Sequence, residues 1–99
     1  MIRVSVMYPN EKGKRFDLDY YVHKHMALVH KLLGSAVLVK SEVDKAADPN
    51  APFIGIGHLY FKSMEEFQTG FFTHAAEMTA DIPNFTDTIP QVQISEIVK

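Results

Sequence analysis

The stretch "FIGIGHLYF" (residues 53–61) decides the fold. It is apolar at nearly every position, carries aromatic and β-branched residues, and is flanked by a polar loop, so it is predicted as a strand. Side chains alternate across a strand, so Gly55, Gly57, Leu59 and Phe61 share one face. Ile54, Ile56, His58 and Tyr60 share the other. Apolar side chains on both faces call for cover on both faces. Directly downstream, Ser63 and Glu66 have the spacing of a capping box, which opens a helix. Met64, Phe67, Phe71 and Met78 then recur at helical spacing, with Gly70 a candidate break.

Working outward, "AVLVKSEVD" (36–44) is a second alternating segment, joined to 53–61 by the loop "KAADPNAP" (45–52). "IRVSVMY" (2–8) alternates with β-branched residues and stops at Pro9. "QVQISEIV" (91–98) alternates again, after "DIPNFTDTIP" (81–90), whose two prolines exclude a continuous helix. Between the first two strands lies "DLDYYVHKHMALVHKLLG" (17–34). Asp17 is placed as its N-cap, and Gly34 as its stop. Phe16 and Tyr21 occupy the positions of a hydrophobic staple.

The order is β-α-β-β-α-β over one domain, residues 1–99. This is α+β of ferredoxin-like type: a four-stranded antiparallel sheet. Right-handed crossovers place both helices on one face of that sheet. The opposite face has no third layer within the chain. A second copy packed sheet on sheet is the expected cover, so a homodimer is predicted.

The composition narrows the function. Net charge is −2 and there is no cysteine among the 99 residues. Thiolate chemistry and cysteine-based metal sites are excluded. Without a basic footprint, nucleic-acid binding is not expected. "IGIGHLYF" matches the glycines of an RNA-recognition strand, but it has Ile56 and His58 where stacking aromatics belong. No apolar run reaches membrane-spanning length, and the opening "MIRVSVMY" has no signal-peptide pattern. The expectation is a cytoplasmic protein acting on a small molecule.

His23, His25 and His30 fall within eight residues. At about 100° per residue, His23 and His25 point to opposite sides of a helix. His23 and His30 share a side but stand roughly 10 Å apart along the axis, too far for one zinc ion. No metal is expected there. Leu18, Tyr21, Val22, His25, Leu28, Val29 and Leu32 form one apolar stripe. His25 sits at its centre, either as a core histidine satisfied by one hydrogen bond or as the polar wall of a pocket. Gly55 and Gly57 leave room beneath it unless Tyr21 or Phe71 fills that room.

"RFDLDYYVHKHMALV" resembles the EthD family of small dimeric α+β barrel proteins. The resemblance continues through "GHLYFKSMEEFQ", "HAAEM" and "DIPNFTDTIPQVQISEIV". The early "YP" and the spacing "FD..YY...H" fit the family pattern, which marks His25 as the family histidine and also takes in His74. Ala27 stands where the family usually has proline. The resemblance implies a two-subunit barrel and a role in a catabolic oxidation pathway. His25 is then the expected catalytic acid/base, with Tyr21, Tyr60 and His74 contacting substrate. No nicotinamide or flavin fingerprint is present, so proton transfer without a bound cofactor is expected. The alternatives are a ligand-carrying module of an oxygenase system and a haem protein with His25 or His74 as axial ligand.

Overall fold

A computed structural model describes residues 1–99. Four strands, β1 (Ile2–Pro9), β2 (Leu38–Lys45), β3 (Phe53–Phe61) and β4 (Gln91–Glu96), form one antiparallel sheet in the order β2-β3-β1-β4. This is the ferredoxin-like arrangement predicted from the element order. No helix is long and apolar enough to cross a membrane.

The register fixes the faces. Val4 lies opposite Leu59 and Ile94, and Val6 opposite Gly57 and Val92. Directly paired residues share a face, so Val4, Val6, Leu59, Val92 and Ile94 all point towards the helices. Tyr8, Tyr21, Phe61, Phe85, Leu38 and Val4 are fully buried there.

The outer face carries the mixed apolar and polar residues that the alternation predicts, with its polar groups paired within the chain. His58 lies opposite Ser5 and Glu42, and Tyr60 opposite Arg3 and Lys40. Ser5 Oγ is 3.0 Å from His58 Nδ1, and His58 Nε2 is 2.8 Å from Asp44 Oδ2. The Tyr60 hydroxyl donates to Glu42, and the Lys40 ammonium lies 4.6 Å from the Tyr60 ring centroid. Partners on β1 and β2 thus satisfy the polar groups of β3, with Met7, Ile54 and Ile56 half-buried among them. On the helix side, Val92 and Ile94 of the edge strand are 56% and 45% exposed, and Ile89 just before it is 84% exposed.

The first helical stretch runs through α1 (Leu18–Tyr20), a π-helical segment (Tyr21–His25) and α2 (Met26–Leu33). Asp17 caps it by accepting from the Tyr20 N–H, and Gly34 ends it at φ +78°. In the π segment the Met26 N–H reaches back five residues to the Tyr21 carbonyl. The wider turn rotates everything after it. Val22, expected in the stripe, is 38% exposed, while Met26 and Leu33 join the core with His25 and Val29.

The second long helix, α3 (Met64–Ala80), begins at Ser63, whose side chain accepts from the Glu66 N–H. It runs unbroken through Gly70. A Cβ at that position would lie 2.7 Å from Val37 Cγ1, so glycine serves close packing here rather than a helix break. Asp81 ends the helix, and a 3₁₀ turn (Ile82–Asn84) with Pro83 follows. This turn is tied back to the start of the first helix. The Arg15 guanidinium donates to the carbonyls of Pro83 and Asn84, and the Asp17 N–H to that of Phe85. These bonds carry Asp81 to a position beside His25, 56 residues away in sequence.

Candidate functional site

His25 is 6% exposed. Its Nδ1 lies 2.9 Å from Asp81 Oδ2. The other carboxylate oxygen accepts from the Tyr20 hydroxyl at 2.7 Å and from the Asn84 amide at 2.9 Å. Burial tends to raise the Asp81 pKa. The hydrogen bonds from Asn84, His25 and Tyr20 outweigh it and hold the group below the ordinary carboxylate range. Asp81 is therefore ionised at neutral pH. An ionised carboxylate only accepts, so the proton between the two residues sits on His25 Nδ1. Nε2 makes no hydrogen bond within the chain. The carboxylate thus orients the imidazole through Nδ1 and leaves Nε2 uncommitted.

Aromatic rings hold the imidazole in place. Tyr21 stacks on it at 5.4 Å with 14° between planes, and Phe85 lies 4.7 Å away. Complete burial of a ring such as Phe85 stabilises the fold by about 1.5–3 kcal/mol, so the packing that fixes His25 belongs to the core. Tyr8 sits against Tyr21, with centroids 5.2 Å apart. Burial pushes the Tyr8 hydroxyl up to about 12. Burial, reinforced by Tyr8, raises Tyr21 further. Both phenols stay protonated through the neutral range and act as hydrogen-bond donors, not bases.

The room beside the sheet glycines is occupied. A Cβ on Gly57 would fall 1.9 Å from the Tyr21 hydroxyl and 3.0 Å from Met26 Cε, and one on Gly55 3.0 Å from Phe16 Cζ. Tyr21 and Phe16 fill the notches that the sequence left open. A cavity of about 310 Å³ nevertheless lies next to His25, displaced towards β4. Val6 and Leu59 of the sheet, Met26 and Val29 of α2, and Phe71 and Met78 of α3 wall it; Ile89, Pro90 and Val92 form its rim. Eleven of its fourteen lining residues are hydrophobic, the two tyrosines among them, and no lysine or arginine is present; His25, the tyrosine hydroxyls and Thr79 supply its polarity.

Of the four predicted site residues, His25 and Tyr21 meet at this cavity. Tyr60 lies on the opposite face of the sheet, bonded to Glu42. His74 lines a separate cleft between α3 and the end of α2, with Nδ1 3.5 Å from the Glu77 carboxylate. The other two histidines of the cluster diverge as the helical geometry predicts. His23 is solvent-exposed beside Asp19, and His30 Nε2 bonds Ser41 Oγ at 2.7 Å. Asp81, Tyr20 and Asn84 carry no role in the sequence reading. The available signal was the need of a buried histidine for an acceptor, with "DIPNF" supplying an unassigned carboxylate just past a helix.

Comparison with known proteins agrees with this architecture. The EthD domain model matches residues 13–89. The structure of an EthD-like protein from Ralstonia eutropha JMP134 is 40% identical, with a TM-score of 0.87, covering 99% of this chain and 92% of that one. An EthD family protein from Bacillus halodurans C-125 is 17% identical, with a TM-score of 0.77, covering 99% of both chains. A putative antibiotic biosynthesis monooxygenase from Deinococcus radiodurans shares the fold at 10% identity and a TM-score of 0.60, covering 100% of this chain and 94% of that one. Comparison with curated proteins gives no match.

Proposed function

The chain belongs to the EthD domain family, and we propose that it is a small-molecule enzyme of a catabolic oxidation pathway whose chemistry is proton transfer at His25. The observation that carries this reading is the His25–Asp81 pair beside an apolar cavity, with Nε2 uncommitted. An oxygenated organic substrate enters past Ile89 and Val92. Nε2 takes a proton from a hydroxyl or from a carbon next to a carbonyl. Asp81 holds the imidazole in the Nδ1–H form and stabilises the imidazolium that follows. The Tyr21 hydroxyl sits in the Gly57 notch and is paired with Tyr8, which leaves the neutral Tyr8 hydroxyl as the donor suited to the developing oxyanion.

We propose further that a second copy covers the outer sheet face. Met7, Ile54 and Ile56 lie half-buried there with no layer of their own chain above them.

The experiment is deuterium exchange of the acidic C–H protons of small cyclic ketones in D₂O, followed by proton NMR. The protein is expected to accelerate exchange, and His25→Ala to remove about 10²–10⁴-fold of that acceleration, the usual range for a general acid/base. An unchanged rate in a folded His25→Ala protein would refute the role.

A further inference from the structure

The cavity that serves His25 also constrains what it receives. We infer that the site takes an uncharged, planar two-ring molecule bearing one hydroxyl or carbonyl oxygen, held with that oxygen at His25 and its rings along the apolar wall. The inference rests on the acid/base reading of His25 for the placement of the oxygen, but its size and charge arguments stand on the cavity alone.

Size comes first. A dry cavity of about 150 Å³ lined by aliphatic and aromatic side chains holds one benzene. The cavity here, at about 310 Å³, is close to twice that. One ring leaves half of it empty, and three rings overrun it.

Shape follows from the layers. The space lies between the sheet side chains Val6 and Leu59 and the helix side chains Phe71 and Met78. A slot between two layers favours a flat ligand, and Phe71 adds an aromatic wall.

Charge is settled by what the wall lacks. No lysine or arginine lines the cavity, so a carboxylate or phosphate would be desolvated without a cation to meet it. Asp81 accepts from three donors and stands behind His25, so a cationic ligand finds no free partner there either. The buried polar residues of the wall, His25, Tyr8 and Tyr21, lie together, and Thr79 adds one exposed hydroxyl. One oxygen placed at His25 is matched there.

The test uses 2-naphthol, phenol and 2-naphthoate as probes, with binding measured by calorimetry. 2-Naphthol is expected to bind at least tenfold more tightly than phenol and at least tenfold more tightly than 2-naphthoate. Val92 is an exposed rim residue, so Val92→Trp can narrow the mouth without entering the core. It is expected to weaken 2-naphthol binding at least tenfold in a folded protein. Equal affinity for the three probes, or undiminished binding in Val92→Trp, overturns the inference.

Nitrogen NMR of the His25 ring separates this from the acid/base reading, because a naphthol hydroxyl held at His25 moves the Nε2 signal. 2-Naphthol is expected to move that signal, and His25→Ala to weaken its binding. Tight binding with an unmoved Nε2 signal would overturn the placement of the oxygen at His25 and the acid/base reading with it. Indiscriminate binding alongside ketone exchange that depends on His25 would overturn only the substrate class.

Discussion

Two histidine–aspartate pairs sit on opposite faces of the same sheet, and their geometry is nearly the same. His25 meets Asp81 at 2.9 Å on the helix side, and His58 meets Asp44 at 2.8 Å on the outer side. Their surroundings differ. The Asp81 side chain is 14% exposed and accepts from three donors, whereas that of Asp44 is 59% exposed. His25 keeps Nε2 uncommitted beside a cavity. His58 has both ring nitrogens occupied, one by Asp44 and one by Ser5. The pairing itself is therefore common to both faces. A free nitrogen and a space next to it are what single out His25 as the candidate.

The largest effect expected from breaking this contrast is on proton transfer. His25→Ala should remove about 10²–10⁴-fold of the ketone exchange rate, while His58→Ala leaves that rate within about twofold. Equal losses in the two variants would erase the distinction.

The next effect is on packing at the site. Gly57→Ala brings a methyl into the space of the Tyr21 hydroxyl and forces the ring that stacks on His25 to move. Overpacking of this kind costs about 1–3 kcal/mol, which urea denaturation would register, and the displaced Tyr21 should also weaken 2-naphthol binding.

Asp81→Asn comes third. It keeps the shape and removes the charge, and losing a hydrogen bond to a charged group costs about 1.5–3 kcal/mol. The pH dependence follows from the lowered pKa of Asp81. An unfolded aspartate titrates near 3.9, so the stabilisation is complete above about pH 5. It is lost as pH falls through the lower folded value. Wild type and Asp81→Asn should therefore differ most at neutral pH and converge in strong acid.

The smallest effect belongs to the outer face. Asp44→Asn should change stability by less than about 1 kcal/mol, as for other exposed pairs, and leave exchange untouched.

Much of this contrast was legible in the sequence, and its limits have physical causes. Local rules hold where the determining contacts are local. Asp17, Gly34 and the Ser63–Glu66 box bound their helices as expected, and the alternation in 53–61 sorts its faces correctly. His25 stands out because its position on the stripe survives the π segment. Val22 does not, because a fixed rotation per residue fails where the helix widens by one residue. Asp81 could not be paired with His25 from spacing, since the contact depends on how Arg15 and Asp17 anchor the chain after α3. His58 and Tyr60 were legible on the outer face, but their partners Ser5, Asp44 and Glu42 depend on strand register, which spacing within one segment does not give.

The most direct test of the central claim is the nitrogen NMR spectrum of the His25 ring in the neutral protein, with and without 2-naphthol. The account predicts a proton on Nδ1, a bare Nε2, and a shift of the Nε2 signal alone when the naphthol is added, with His58 unmoved. A proton on Nε2 in the free protein, or an Nε2 signal indifferent to the ligand, would contradict it.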